Sequence, residues 1–148
     1  IKMLSKIFKR MFIFVALCTF SFNLHAADWT MASGYPKSNF HTQNIIKFID
    51  EVKSTTSVNI NLNPNDTLIK LDAIKTSLQR GQIPIGEIRL GIYGNEDPMY
   101  ILAGLPFIAP DYSSAWLLKD VQMDYLQDKF AKKGLMILYT SPWPGQGF

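Results

Sequence analysis

The sequence predicts an α/β domain in which a mostly parallel sheet is flanked by helices. Short apolar segments with strand periodicity alternate with amphipathic segments of helical periodicity, in the order β-α-β-α-β-loop-α-β. Helical segments between successive strands favour right-handed crossovers and therefore parallel strands. The chain has 148 residues, of which 47% are hydrophobic, and this is enough for one globular core.

The first half of the pattern predicts two strands and two helices. DWTMASG forms the first strand and SVNINLNP the second, in which every other residue is apolar. SNFHTQNIIKFIDEVKSTT lies between them and forms a helix capped by Ser38 or Thr42. A second helix runs from Asp66, a plausible N-cap, to Arg80, and Gly81 ends it. The inner faces are predicted to hold Ile45, Phe48, Ile49 and Val52 in the first helix, and Leu71, Ile74 and Leu78 in the second.

The second half predicts two further strands around one long helix. IPIGEIRLGIY forms a third strand, which Pro84 limits to an edge or a late start. An apolar connection, MYILAGLPFIAPDY, leads to a helix from about Ser113 to Lys133, and Gly134 closes it. The apolar run Leu135 to Tyr139 then forms a buried strand. The third helix is predicted to turn Leu118, Val121 and Tyr125 inward, with Leu126 and Phe130 beside them.

Residues 1–27 have the three parts of a secretory signal peptide. KMLSKIFKR supplies the cationic start, MFIFVALCTFSF the apolar centre, and NLHAAD the small residues for cleavage after Ala26 or Ala27. The apolar centre is shorter than the roughly 20 residues of a membrane span. Leu17 before Cys18 argues against lipid attachment, because a small residue is expected there. The mature chain is therefore predicted to be exported and to comprise residues 28–148.

The composition of the mature chain excludes several classes of protein. Four of the 15 Lys and Arg residues precede the first acid, Asp28, so the remaining 11 face 12 Asp and Glu and leave a net charge of −1. A near-neutral surface has no electrostatic footprint for nucleic acid. Cys18, in the signal peptide, is the only cysteine. The mature chain therefore has no disulfide, no thiol nucleophile and no cysteine metal site.

Nothing in the mature sequence predicts catalysis, a cofactor or a metal site. His41 is its single histidine, and there is no Gly-x-Ser-x-Gly segment to form a catalytic triad with it. We expect His41 to hydrogen-bond locally near a helix start. The acid pair Asp50-Glu51 falls on the outer face of the first helix, and Glu96-Asp97 lies in a segment with turn composition.

Three residues are candidates for a binding cleft because they follow predicted strands. Tyr35 follows the first strand, Arg89 lies near the end of the third, and Trp143 follows the last. In a parallel sheet these ends meet at one edge, where ligands of α/β proteins bind. Core packing for Trp143 and a surface ion pair for Arg89 remain alternatives.

Several longer stretches, in order and spacing, give a family resemblance. FHTQNIIKFIDEV, LQRGQIPIGEI, NEDPMYILAGLPFIA and YTSPWPGQGF resemble the solute-binding proteins of tripartite ATP-independent periplasmic (TRAP) transporters, and the resemblance runs from Trp29 to Phe148. It implies a periplasmic, two-lobed binding protein of type II-like build, which closes around a small organic anion, often a carboxylate, and delivers it to a membrane permease. Such a protein is not an enzyme.

Family members are longer than this chain. The resemblance therefore implies that residues 28–148 are an incomplete N-terminal lobe, truncated before the second lobe. It also implies that the arginine that pairs with the ligand carboxylate lies beyond Phe148. An exported ligand-sensing protein and an ABC-type binding protein of the same architecture remain alternatives, since neither is distinguished by these residues.

The resemblance also implies a set of ligand-binding positions. They lie in the loop after the first strand, early in the second helix, after the third strand and in the last loop. Guanidinium and amide donors suit a carboxylate, and aromatic walls exclude water from a pocket. Lys70 is equally compatible with a solvated surface charge. The implied ligand-binding residues are Tyr35, Phe40, Lys70, Arg89, Trp143 and Gln146.

Overall fold

The computed structural model describes residues 27–143, and within them the predicted α/β architecture is confirmed. Three parallel strands form one sheet in the order β2-β1-β3, with β1 at the centre. Helices pack on both faces of this sheet. The elements are β1 (Asp28–Ala32), α1 (Phe40–Thr55), β2 (Asn59–Asn63), α2 (Ile74–Gln79), β3 (Ile85–Gly86), two 3-10 helices (Leu90–Tyr93 and Pro98–Gly104) and α3 (Tyr112–Ala131).

The sheet divides the apolar residues into two layers, because successive side chains of a strand point to opposite faces. Met31 faces α1, and its neighbour Ala32 faces α2. The predicted inner faces of the first two helices are confirmed, since all seven residues lie in these layers. The α1 layer contains Met31, Ile45, Ile60 and Ile85 with Phe48, Ile49, Val52, Val58 and Leu62, and the α2 layer contains Ala32, Ile74 and Ile83 with Ile69, Leu71, Leu78 and Ile88.

A third apolar cluster joins α3 to the two 3-10 helices. Tyr93 and Tyr100 pack there against Leu126 and Phe130 of α3. The prediction that Val121 points inward is wrong, since its side chain is 73% exposed. Gln122 is buried instead, and its Nε2 donates to the carbonyl of Met99 at 3.1 Å. Apolar residues occur all around α3, so their spacing alone did not define its buried face.

The second helix and the third strand are shorter than predicted. The helix begins at Ile74 rather than at Asp66, which has φ 57° and accepts a hydrogen bond from the Leu71 N–H through its carboxylate at 2.9 Å. This bond and the left-handed backbone hold the preceding segment in turns. The strand pairs with β1 only at Ile85 and Gly86, and the chain then enters a 3-10 helix.

The predicted last strand is not formed within residues 27–143. Leu135 and Ile137 pack against the third cluster while Met136 and Leu138 are exposed, so the alternation of a strand is present. No neighbouring strand pairs with this segment in the described part of the chain. The side chain of Gln127 forms the backbone hydrogen bonds that a neighbouring strand would otherwise form. Its Nε2 donates to the Ile137 carbonyl at 2.7 Å, and its Oε1 accepts from the Ile137 N–H at 3.3 Å.

The helix ends follow local rules more closely. The N-cap of α1 is Asn39, whose carboxamide oxygen accepts from the His41 N–H at 2.8 Å, rather than Ser38 or Thr42. Asp111 caps α3 in the same way through the Ser114 N–H. None of the helices within residues 27–143 combines the length and apolar composition that a membrane span requires.

Candidate functional site

The chain segments that follow β1 and β3 lie side by side at one edge of the sheet. The Glu87 N–H donates to the Ala32 carbonyl at 2.9 Å, which continues the pairing one residue beyond β3. The Ser33 hydroxyl, fully buried, donates to Oε2 of Glu87 at 2.5 Å. Tyr35 follows Ser33 by two residues, and Arg89 follows Glu87 by two residues.

Four rings pack together above this edge, and we call Tyr35, Phe40, His41 and Trp143 the aromatic cluster. The ring centroid of His41 lies 4.0 Å from that of Phe40, 4.5 Å from that of Trp143 and 5.8 Å from that of Tyr35. The Trp143 ring is packed edge-to-face with that of Tyr35, with centroids 5.5 Å apart, and with that of Phe40, with centroids 5.7 Å apart. Cζ of Arg89 lies 5.8 Å from the Trp143 ring centroid, within range of a cation–π contact.

Two polar atoms of the aromatic cluster are buried with no hydrogen-bond partner among residues 27–143. They are the phenol oxygen of Tyr35 and Nε2 of His41. His41 lies at the start of α1 and hydrogen-bonds locally, as expected, through its backbone N–H to Asn39, whereas its Nε2 has no partner within these residues. An unpaired buried polar atom costs free energy, and such atoms are rare in cores. Two such atoms lie close together at this edge of the sheet.

Burial sets the protonation of these groups. It raises the pKa of Tyr35, where the Arg89 guanidinium opposes the shift and Glu87 adds to it. The phenol therefore stays a donor at neutral pH. Burial also lowers the pKa of His41 below its ordinary 6.5, so the ring is neutral at neutral pH. A neutral imidazole has one donor and one acceptor nitrogen.

Glu87 brings an acidic group to the same place. Burial raises the pKa of this carboxyl, and the hydrogen bond from Ser33 partly offsets the shift. Burial raises the pKa of Tyr139 as well, with a smaller contribution from Glu87. Glu87 therefore contacts Ser33 directly, and its charge raises the pKa of Tyr35 and of Tyr139.

A cavity of about 610 Å³ adjoins the aromatic cluster at Phe40. Its volume is in the range of small-molecule pockets, roughly 300–1,000 Å³. The amide of Asn44 on α1 donates to the Ser141 hydroxyl at 3.5 Å on its wall. The other lining residues come from the start of α3 and from the last described segment, and they are Tyr112, Trp116, Tyr139, Thr140 and Pro142.

The structure thus brings together four of the six predicted ligand-binding residues, Tyr35, Phe40, Arg89 and Trp143. Lys70 lies elsewhere, with its side chain 76% exposed and Nζ 4.0 Å from Asp66, beside a cavity of about 340 Å³. It was placed early in a helix that in fact starts later. Gln146 lies outside the described residues. The role of all six in ligand binding stays a prediction.

Sequence reasoning missed Ser33, Glu87 and the ring of His41. A signal was present for the first two, since each lies two residues before a predicted site residue on the same strand end. In a strand this spacing puts both side chains on one face. Residues 27–143 hold no group of three or more His, Cys, Asp or Glu side chains placed to bind a metal ion.

Comparison with known proteins gives a consistent family. No family model matches the sequence, and no curated protein matches it. Among solved structures, DctP6 of Bordetella pertussis, an extracytoplasmic solute receptor binding pyroglutamic acid, is 39% identical with a TM-score of 0.77. DctP7 from the same organism, which also binds pyroglutamic acid, is 35% identical with a TM-score of 0.76. A marine metagenome TRAP solute-binding protein, specific for pyroglutamate and solved with co-purified pyroglutamate, is 34% identical with a TM-score of 0.78.

The matches to these three proteins cover most of this chain. They extend over 80–82% of it and over 40–41% of the solved proteins, so the chain spans about two fifths of their length. Identity above one third, combined with the same fold over this range, exceeds what a shared architecture alone would give. The chain therefore belongs to the family of TRAP periplasmic solute-binding proteins.

Proposed function

We propose that this sequence belongs to the periplasmic solute-binding component of a TRAP-type importer, which captures a small organic acid between two lobes and delivers it to a membrane permease. The protein acts by binding and not by catalysis. Residues 1–27 direct export and are removed, and residues 28–148 contribute one wall of the cleft. Closure of the second wall over the ligand is a hinge motion.

One observation carries this proposal: unpaired hydrogen-bonding groups and an unpaired cation meet at the carboxyl edge of the sheet. The Tyr35 phenol and the His41 ring are buried without partners in the described residues. Arg89 forms no ion pair within residues 27–143, although Glu87 lies nearby. Such a guanidinium is available to contact an acidic ligand, in addition to the arginine that the family resemblance implies beyond Phe148. The pyroglutamate bound by the similar proteins is a small carboxylate of this kind.

The test is ligand binding by the full-length protein that carries this sequence. A panel of acids includes pyroglutamate together with malonate, erythronate and galacturonate, which proteins of the same fold bind. Saturating ligand stabilises a binding protein by about 2.7 kcal/mol at a hundredfold excess over Kd. A rise in melting temperature with at least one acid, confirmed by calorimetric titration, is the expected result. No response to any member of the panel would refute the proposal.

A pair of matched variants locates the binding. Arg89→Met removes the guanidinium that lies against Trp143 and should weaken acid binding at least about tenfold, because a charge-assisted hydrogen bond contributes roughly 1.5–3 kcal/mol. Arg80→Met removes an exposed guanidinium at the end of α2 and should leave affinity unchanged. Equal affinities of the two variants would place the site elsewhere. Delivery to the permease is tested by uptake of the bound acid in cells with and without the permease genes.

A further inference from the structure

The backbone of Tyr35 is held by three hydrogen bonds. Its N–H donates to the Ser33 hydroxyl at 3.3 Å. Its carbonyl accepts from the Thr42 hydroxyl of α1 at 3.2 Å and from the N–H of Asn65, in the loop after β2, at 2.9 Å. The peptide groups on both sides of Tyr35 are therefore fixed, whereas its phenol oxygen is buried with no partner among residues 27–143.

Two of these three bonds come from fully buried side chains. Ser33 and Thr42 are both 0% exposed, while Tyr35 itself is half-buried. The Ser33 hydroxyl donates its proton to Oε2 of Glu87 at 2.5 Å, so a lone pair of the same oxygen is free to accept from the Tyr35 N–H. Because neither hydroxyl is exposed, both can act on a ligand only through the residue that they hold.

The third bond comes from a backbone in an uncommon conformation. Asn65 and Asp66 are both left-handed, with φ 58° and 57°. Their successive N–H groups donate to the carbonyls of Tyr35 and Ser33, at 2.9 Å and 3.2 Å. Left-handed conformations at non-glycine residues cost free energy and occur preferentially where function requires a fixed geometry. The loop after β2 therefore clamps the loop after β1 before any ligand binds.

We infer that Ser33 and Thr42 are positioning residues, which hold the Tyr35 phenol where it donates a hydrogen bond to the ligand. This inference rests on the proposed function, in which an acid binds at this edge of the sheet. A donor that is fixed in advance loses less conformational freedom when the ligand binds. The two buried hydroxyls therefore strengthen ligand binding through Tyr35 and not by contact with the ligand.

The test removes each hydroxyl in the full-length protein. Thr42→Val keeps the volume of the side chain, and Ser33→Ala removes the other hydroxyl. Each should weaken binding of the tightest acid of the panel about 3- to 10-fold, because one bond that holds the Tyr35 backbone is lost. Thr42→Ser keeps the hydroxyl and loses a buried methyl group, so it should lower the melting temperature and leave affinity unchanged. Ser77→Ala, at a buried serine of α2, should also leave affinity unchanged.

The same variants in a Tyr35→Phe background show whether the hydroxyls act through the phenol. Tyr35→Phe should by itself weaken binding about tenfold, because a hydrogen bond to a charged ligand is lost. In this background Thr42→Val and Ser33→Ala should have no further effect on affinity, although they should still lower the melting temperature. A purely structural role would give the same change of affinity in both backgrounds.

The possible results separate the inference from the proposed function. Equal losses of affinity in the two backgrounds, unchanged affinity of Thr42→Val and Ser33→Ala, or wild-type affinity of Tyr35→Phe would each overturn the inference and leave the proposed function standing. Absence of binding by every acid in the panel would overturn both. Either hydroxyl variant is sufficient for the comparison, so poor folding of one leaves the other to decide it.

Discussion

A buried ammonium group makes the stability of this domain depend on one acidic side chain. Lys75 of α2 is only 1% exposed, and its ammonium pairs with Glu96 in the turn between the two 3-10 helices. Its Nζ also lies 4.4 Å from the ring centroid of Tyr93. Glu96 pairs with Lys133 as well, so one carboxylate links α2 to the end of α3.

Removing the two partners should have unequal effects. Glu96→Gln leaves a buried cation without its counter-charge and near a second cation, Lys133. The loss expected for a broken buried pair is about 3–5 kcal/mol, and exposure of roughly a third of the Glu96 side chain reduces this to about 2–3 kcal/mol. Lys75→Met removes the buried charge itself and leaves Glu96 paired with Lys133, so its cost should be below about 1 kcal/mol. The double variant should resemble Lys75→Met.

Thermal unfolding of the full-length variants measures this asymmetry. A loss of 2–3 kcal/mol lowers the melting temperature by about 4–12 °C in a domain of 150–250 residues. Burial already lowers the pKa of Lys75, and the Glu96 carboxylate opposes that shift. The native state of Glu96→Gln should therefore bind this proton still more weakly than the unfolded state, so its stability should recover as pH rises toward 10.5, the ordinary pKa of lysine. Equal losses for Glu96→Gln and Lys75→Met, or no recovery at high pH, would refute this account.

Three further predictions test other parts of the structure. Hydrogen bonds from Lys129 and two other donors hold the pKa of Asp97 at about 2. The stability that Asp97 contributes should therefore be full above pH 3.8 and lost toward pH 2. In unfolding measured as a function of pH, Asp97→Asn should be less stable than wild type above pH 3.8 and equally stable near pH 2. Gly86→Ala places a methyl group 2.6 Å from a buried isoleucine carbon and should cost about 1–3 kcal/mol in urea unfolding, whereas Gly91→Ala, with nothing within 4 Å, should be nearly neutral. His41→Phe removes an unpaired buried nitrogen, so the ligand-free protein should melt no lower than wild type while acid binding weakens.

The parts of the fold that the sequence predicted depend on local periodicity. The α1 face and the alternation of β2 are properties of one segment and its own apolar residues, and both are confirmed. The last predicted strand needed more than periodicity. Leu135 and Ile137 alternate with exposed residues as a strand requires, but a strand also requires a neighbour for its backbone. Gln127 satisfies that backbone in the described residues, which no local pattern could have indicated.

The candidate site was predictable where parallel-strand geometry determines it. Tyr35 was predicted to follow the first strand and Arg89 to lie near the end of the third, and both lie just beyond β1 and β3. Trp143 was predicted to follow a strand that is not formed, yet it lies in contact with both side chains. Lys70 was located by a helix start that depends on the backbone conformation of Asp66. Left-handed conformations at non-glycine residues are uncommon and carry little sequence signal. The predicted helix start was therefore wrong, while the role of Lys70 in ligand binding stays a prediction.

Acidic and basic side chains occur both in a structural network around Glu96 and Asp97 and in the candidate binding site. The two places differ in whether these charges form ion pairs. Glu96 and Asp97 are each held by lysines, at Lys75 and Lys133 for the first and at Lys129 for the second. Every charge in that network has an opposite neighbour, so it stabilises the junction of α2, α3 and the 3-10 helices and leaves nothing for a ligand to bind.

At the carboxyl edge of the sheet, in contrast, several polar and charged groups lack a partner among the described residues. Arg89 has no acid partner in the described residues, and two buried polar atoms beside it have no hydrogen bond. Each such atom costs about 1–3 kcal/mol of stability, which a core would normally avoid by substitution. Retaining two of them in one place is the expected cost of a site whose partners lie outside the described residues. Stability should therefore rise more on ligand binding than on any single substitution in this cluster.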